Sequence, residues 1–190
     1  MLKPLLKVFS VSLFVLLLSC SGHPSVFSID LKKTSGDFFS ISEVRNNKAT
    51  LFVFLSTECP LSQKYTLPLK QLEKKYAGDE VKFIGVFPGA NVSDTSIKSF
   101  SEEYDLDFAL LRDENLELTH FLNATITPEV FVLDNKGNVI YSGAIDNWFA
   151  EVGKKREVVT EHYLDDALGS LITEKEIKVK KTIAVGCIIE

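Results

Sequence analysis

The chain has 190 residues, 45% apolar and 25% charged, which is enough to close one hydrophobic core. Its formal net charge of −5 and pI near 5.3 lack the basic footprint that phosphates require, so no nucleic acid is expected as a partner. Three cysteines and three histidines, with no CxxC and no HxxxH spacing, make no structural zinc site, and no cofactor is expected.

Residues 1–19 read as a leader. Lys3 and Lys7 precede an apolar stretch from Val8 to Leu18, broken only by Ser10 and Ser12. It is shorter than the ~20 apolar residues of a spanning helix. Leu17-Leu18-Ser19-Cys20 resembles the lipobox of bacterial lipoproteins. That resemblance implies cleavage before Cys20, lipidation of Cys20, and an anchor to a cell-envelope membrane facing the periplasm. Ser21 does not resemble an inner-membrane retention signal, which leans towards the outer membrane. An ordinary signal peptide or an uncleaved anchor is the alternative. Residues 20–27 then form a polar tether to a domain expected over 28–175, and residues 176–190 a C-terminal tail.

Within the domain, GDFFSISEV alternates enough for an edge strand, and the near-continuous apolar run Ala49 to Leu55 predicts a strand covered on both faces. After Pro60, the residues Leu61, Tyr65, Leu69, Leu72 and Tyr76 recur at helical spacing, with Gly78 expected to close the helix. VKFIGVF is the next buried strand. Ser93 or Asp94 caps a helix through TSIKSFSEEY. FALLRD predicts a short strand and ENLELTHFLN a short helix. TPEVFVLD and NVIYSGAI are strands joined by the turn NKG. A closing amphipathic helix is expected from Glu161 to about Glu174, followed by a basic, β-prone tail. This order predicts an α/β sandwich whose mixed central sheet passes from a parallel half into an antiparallel hairpin, with helices on both faces.

Cys59 carries the chemistry. It stands where a buried strand gives way to a helix, and Pro60 suits the first helical position. Unpaired N–H groups and the positive dipole end at that point favour a thiolate, so its pKa is expected below the free value of ~8.5. Glu58 opposes this by like charge. Ser62, one turn on, is placed to donate a hydrogen bond to the sulfur. A CxxS arrangement attacks a disulfide but cannot resolve the mixed species from within the motif. The plain structural alternative is a small buried cysteine beside a polar first-turn residue. Thr127-Pro128 opens the late strand, either as an edge proline or as the site of a cis bond.

FVFLSTECPLS and TPEVFVLDNKGNVIYSGAID, at this αβ spacing, resemble the thioredoxin-like superfamily over about residues 28–175. The match is to its redoxin branch, the alkyl hydroperoxide reductase and thiol-specific antioxidant type. The resemblance implies a thioredoxin-like α/β/α sandwich, a cis Pro128 packed against Cys59, and a Thr127 backbone that pairs with a substrate strand. The chain also departs from the pattern. Thioredoxins carry a tryptophan before the nucleophile and a second cysteine three after it, where this chain has Glu58 and Ser62. Ser56 fits the peroxiredoxin position three before the cysteine. Phe52, however, replaces the proline seven before it, and the peroxide-binding arginine is missing ahead of the late strand.

Cys187 lies in TIAVGCII, beyond the closing helix, and an extended tail from Glu174 reaches roughly 40 Å at ~3.3 Å per residue. The VGKKR stretch and the terminal VGC resemble exported redoxins in which a C-terminal cysteine coexists with a missing second active-site cysteine. Cys187 is accordingly expected to resolve Cys59, with a static structural bridge as the alternative. The expected activity is thiol–disulfide exchange with a protein thiol, disulfide or reductant as partner. A thiol-dependent peroxidase is the runner-up. A non-catalytic binding or copper-handling module, using Cys59, Cys187 and a histidine, is the third reading. Lys154, Lys155 and Arg156 read as a solvated loop, Trp148 and Phe149 as core or lid residues, and His120 as structural. His162 opens the last helix, and His23 lies in the tether.

Overall fold

The computed structural model describes residues 25–78 and 80–190. The leader, Cys20, Ser21 and His23 lie outside the described residues. The strand β3 (Ala49–Phe54) is buried at every position, and its side chains divide by the period of two. Leu51, Val53 and Leu55 enter one core and Phe52 and Phe54 the other, which is why the run is apolar without alternation. β4 (Val81–Pro88) and β5 (Ala109–Asp113) continue the sheet in parallel on one side of β3, while β7 (Glu129–Asp134) and β8 (Val139–Gly143) run antiparallel on the other.

The first core is covered by three helices, α1 (Pro60–Tyr76), α2 (Asp94–Tyr104) and α4 (Tyr163–Ile172), through Leu61, Tyr65, Leu69, Ile97, Leu164 and Leu168. The second is covered by α3 (Glu117–Leu122) and by 3-10 turns at Val26–Ser28 and Ile41–Asn46. Ser93 caps α2 in a capping box with Ser96. In the β7–β8 turn, Asp134 accepts from the Lys136 and Asn138 N–H groups, and Gly137 takes φ +81°.

Several boundaries differ from expectation. α1 stops at Tyr76 and its cap, Ala77, remains right-handed, so Gly78 lies past the end and Glu80 takes the positive φ of 57°. The N-terminal stretch forms two short strands, β1 (Asp30–Lys33) and β2 (Phe38–Ser40), before turning into 3-10 helix. Among the described residues the main sheet is seven-stranded, in the order β2-β1-β5-β4-β3-β7-β8. The VGKKR stretch lies in a small exposed hairpin of β9 (Phe149–Glu151) and β10 (Lys154–Lys155), where Lys154 Nζ pairs with Glu151 at 2.8 Å.

The tail does not hang free. Ile177 is buried in the first core. Ser142 N donates to Lys180 O and Thr182 N donates to Ser142 O, at 3.0 and 2.9 Å, which lays the tail along β8, the last strand of the sheet. Thr182 Oγ1 accepts from Ala144 N at 2.8 Å and meets Tyr141 Oη at 2.8 Å. Gly143 is necessary here. Its φ is +124°, and a Cβ would collide with the Thr182 carbonyl. The chain then crosses to β6 (Ile126–Thr127), against which β11 (Cys187–Ile188) pairs antiparallel.

Candidate active site

β3 delivers Cys59 to the start of α1 as the N-cap residue, with extended backbone and Pro60 in the first turn. The Cys59 thiol is only 1% exposed. Its Sγ donates to the Thr127 carbonyl at 3.1 Å, and the Thr127–Pro128 bond is cis. From the far end of the chain, the Cys187 S–H donates to Cys59 Sγ at 2.7 Å. Both cysteines are free thiols, in contact but farther apart than the ~2.05 Å of a covalent S–S bond. Cys187 stands opposite Thr127 in the β11–β6 pairing, and Thr127 Oγ1 donates to the Cys187 carbonyl at 3.4 Å.

Two opposite shifts follow. Burial pushes the Cys59 thiol up, but the Cys187 S–H and the N–H groups of Ser62, Cys187 and Leu61 outweigh it, and the net shift is downward. The Thr127 carbonyl accepts from the protonated form and works against this. Cys187 moves to about 11, through burial first and then through its hydrogen bond to Cys59 and the Cys59 charge. Of the pair, Cys59 is the more acidic and gives up its proton first, and Cys187 holds its proton longer.

The structure brings Cys59, Cys187, Thr127 and Pro128 together. It corrects the part assigned to Ser62: the hydroxyl accepts from Ser56 N at 3.2 Å, and Ser62 reaches the sulfur through its backbone N–H instead. Glu58 is exposed and is not among the causes of the Cys59 shift. Ser56 Oγ accepts from Glu58 N at 3.3 Å. Among the described residues, no His, Cys, Asp or Glu joins the two cysteines in a metal-holding group of three, so the Cys59–Cys187–His arrangement is not formed. His120 and His162 are both exposed.

Sequence reasoning missed the part of Tyr65, which lines a small pocket with Pro128 and Asp146. Tyr65 donates to Asp146 Oδ1 at 2.6 Å, and Trp148 N donates to the same oxygen at 2.8 Å. Tyr65 packs edge-on against Trp148 and tilted against Phe149. Burial, then the bond to Asp146 and its charge, holds the Tyr65 phenol protonated far above its usual range. In the sequence Tyr65 is one more apolar-face residue of α1, and nothing in its spacing distinguishes it.

A sheet of this order, with a cysteine at a strand-to-helix junction facing a cis-proline, defines a thioredoxin-like redox domain. The sequence profile of the Redoxin family matches residues 21–153, and the chain belongs to that family. It is 30% identical over 108 residues to the thioredoxin-like protein YneN of Bacillus subtilis, a match spanning 56% of this chain and 62% of that protein. The fold is similar to that of a hypothetical protein, SMc02350, from Sinorhizobium meliloti. That match has TM-score 0.75 and 22% identity, and covers 85% of this chain and 89% of the other. It is also similar to a secreted Mycobacterium tuberculosis disulfide oxidoreductase homologous to Escherichia coli DsbE. Here the TM-score is 0.55 and the identity 16%, over 78% of this chain and 96% of the other.

Proposed function

We propose that the protein is an exported, membrane-anchored thiol–disulfide oxidoreductase in which Cys59 is the nucleophile and Cys187 the resolving thiol. The observation that carries this reading is the 2.7 Å contact between the two sulfurs, beside Thr127 and the cis-proline. The Cys59 thiolate attacks one sulfur of a substrate disulfide, forms a mixed disulfide, and expels the other sulfur as a thiolate. Cys187 then gives up its proton and attacks Cys59 Sγ, closing the Cys59–Cys187 bond and releasing the second substrate thiolate. The substrate gains two electrons, the protein dithiol loses two, and its two protons pass to the products. Run backwards, the same steps oxidise a substrate dithiol. The leader and Cys20 suggest the cell envelope, with the domain held at a membrane surface by lipid and tending towards the outer membrane.

The test is peptide mapping by mass spectrometry on protein lacking residues 1–20, equilibrated through a series of redox buffers. A Cys59–Cys187 bond that titrates at about −120 to −270 mV, the range of known exchangers, is the expected outcome. Cys59→Ser should abolish turnover, and Cys187→Ser should accumulate mixed disulfides. A bond too stable to titrate would make Cys187 a structural staple, and unchanged turnover in Cys187→Ser would remove the resolver role.

A further inference from the structure

The groove beside Cys59 already holds a peptide strand, and that strand is the protein's own. We infer that residues 185–189 are a resident copy of the substrate strand, and that the groove selects extended segments of the form apolar–Gly–Cys–any–apolar. This rests on the exchange chemistry proposed above and adds the sequence class on which it acts.

Each position of the pattern has a physical cause. The cysteine position is set by register: Cys187 pairs with Thr127, which puts its sulfur against Cys59 Sγ. The residue before it passes so close to β6 that a Cβ at Gly186 would collide with the Thr127 carbonyl oxygen. It would also lie 2.7 Å from the Thr127 carbonyl carbon and 2.9 Å from Ile126 Cγ2. Two of those three atoms are backbone of β6, which leads into Pro128, so they cannot swing aside as a side chain does. Gly186 is therefore required by approach. The residue after the cysteine, Ile188, is 76% exposed and imposes no choice. On either side, Val185 packs against the first core and Ile189 against the second, and Ile189 N donates to Thr125 O at 2.9 Å. Backbone pairing then supplies affinity, and the alternate side chains supply selection, as when a strand is added to a sheet edge.

A substrate strand in this register takes the place of the tail. The tail must lift before the substrate docks, and Cys187 returns to attack Cys59 only by displacing the substrate strand. Resolution and release are one event.

The experiment uses the Cys187→Ser protein, in which the serine keeps a donor towards Cys59 and the first exchange step is isolated. The probe is the hexapeptide Ala-Val-Gly-Cys-Ile-Ile, its thiol carried as a disulfide with a coloured aromatic thiol. The Cys59 thiolate attacks the peptide sulfur, the protein–peptide S–S bond forms, and the aromatic thiolate leaves with the bonding electrons and is read by absorbance. The same peptide with alanine before the cysteine is expected to react about tenfold more slowly, and one with lysine after the cysteine at an unchanged rate. Gly186→Ala in the same protein unseats the tail and is expected to raise the rate with the glycine peptide about tenfold.

Equal rates for the glycine and alanine peptides, both above that of 2-mercaptoethanol carried on the same aromatic thiol, would overturn the selection while leaving the exchange chemistry standing. No gain from Gly186→Ala would overturn the tail's occupancy of the groove. Reaction of all three probes no faster than with free cysteine would remove Cys59 as an exchange nucleophile, and the proposed function with it.

Discussion

Cys59 and Cys187 shift one another's acidity in opposite directions, and the inequality orders the reaction. While Cys59 is free, its charge and its hydrogen bond help hold the Cys187 proton up to a pKa of about 11. Once Cys59 is tied in a mixed disulfide that charge is gone, and Cys187 loses part of what kept it protonated. The resolver is quiet until it is needed. The reduced protein should accordingly react with iodoacetamide at Cys59 before Cys187, as read by mapping the alkylated peptides at successive pH values. Cys187→Ala removes the S–H donor and should move the Cys59 profile to higher pH, whereas Cys187→Ser should move it less. Stability follows the same signs. Raised in the folded state, the Cys187 pKa gives a contribution fully present below the unfolded value of ~8.5. That contribution is lost as pH rises through about 11. Cys59, lowered, opposes it by contributing above ~8.5 and losing that contribution as pH falls through its folded pKa. Cys59 and Pro128 were legible in the sequence because a strand end, a helix start and a proline each leave a local mark. The direction in which a hydroxyl or an S–H points leaves none, so Ser62 was assigned to the sulfur when its oxygen serves Ser56.

The strap formed by residues 180–189 is held by few groups, and Thr182 is the one most easily tested. Thr182→Val leaves Ala144 N without its acceptor and takes a partner from Tyr141 Oη, which still donates to Ala144 O at 2.5 Å. An unsatisfied buried donor costs about 1–3 kcal/mol. Here the loss falls on docking of the strap, because β3, β4 and β7 make none of these bonds. Hydrogen exchange at residues 181–189 should rise roughly 5- to 150-fold while the denaturation midpoint of the sheet stays nearly unchanged. An equal loss of protection in β3 would show that the strap and the sheet unfold together. Long elements announce themselves, as β3 and α1 did, by six buried positions in a row and by a stripe at helical spacing. β1 and β2 each bury one residue fully; the partial alternation of GDFFSISEV was enough to mark the edge strand β2, but β1, which joins it to β5, left no period to read. The tail was legible as extended chain with reach enough, but its register depends on the missing side chain at Gly186, which gains meaning only beside Thr127.

Oxidation should change the stability of the whole domain. A Cys59–Cys187 bond joins residues 128 apart in sequence. The chain-entropy model gives about 5 kcal/mol for closing a loop of that size. Urea unfolding of the oxidised and reduced protein should therefore differ by up to about 5 kcal/mol in favour of the oxidised form. No difference would mean that the bond strains the fold by as much as it restricts the unfolded chain. The strap also guards a vulnerable border. β8 is the last strand of the sheet, and Lys180–Thr182 satisfy its backbone groups at Ser142. Each time the strap lifts to admit a substrate, an unpaired sheet edge and an uncovered β6 are bared together, and these are the surfaces on which chains stack into aggregates. The working cycle and the danger of self-association thus share a single opening, and a tightly fastened strap limits how long the edge stands unprotected.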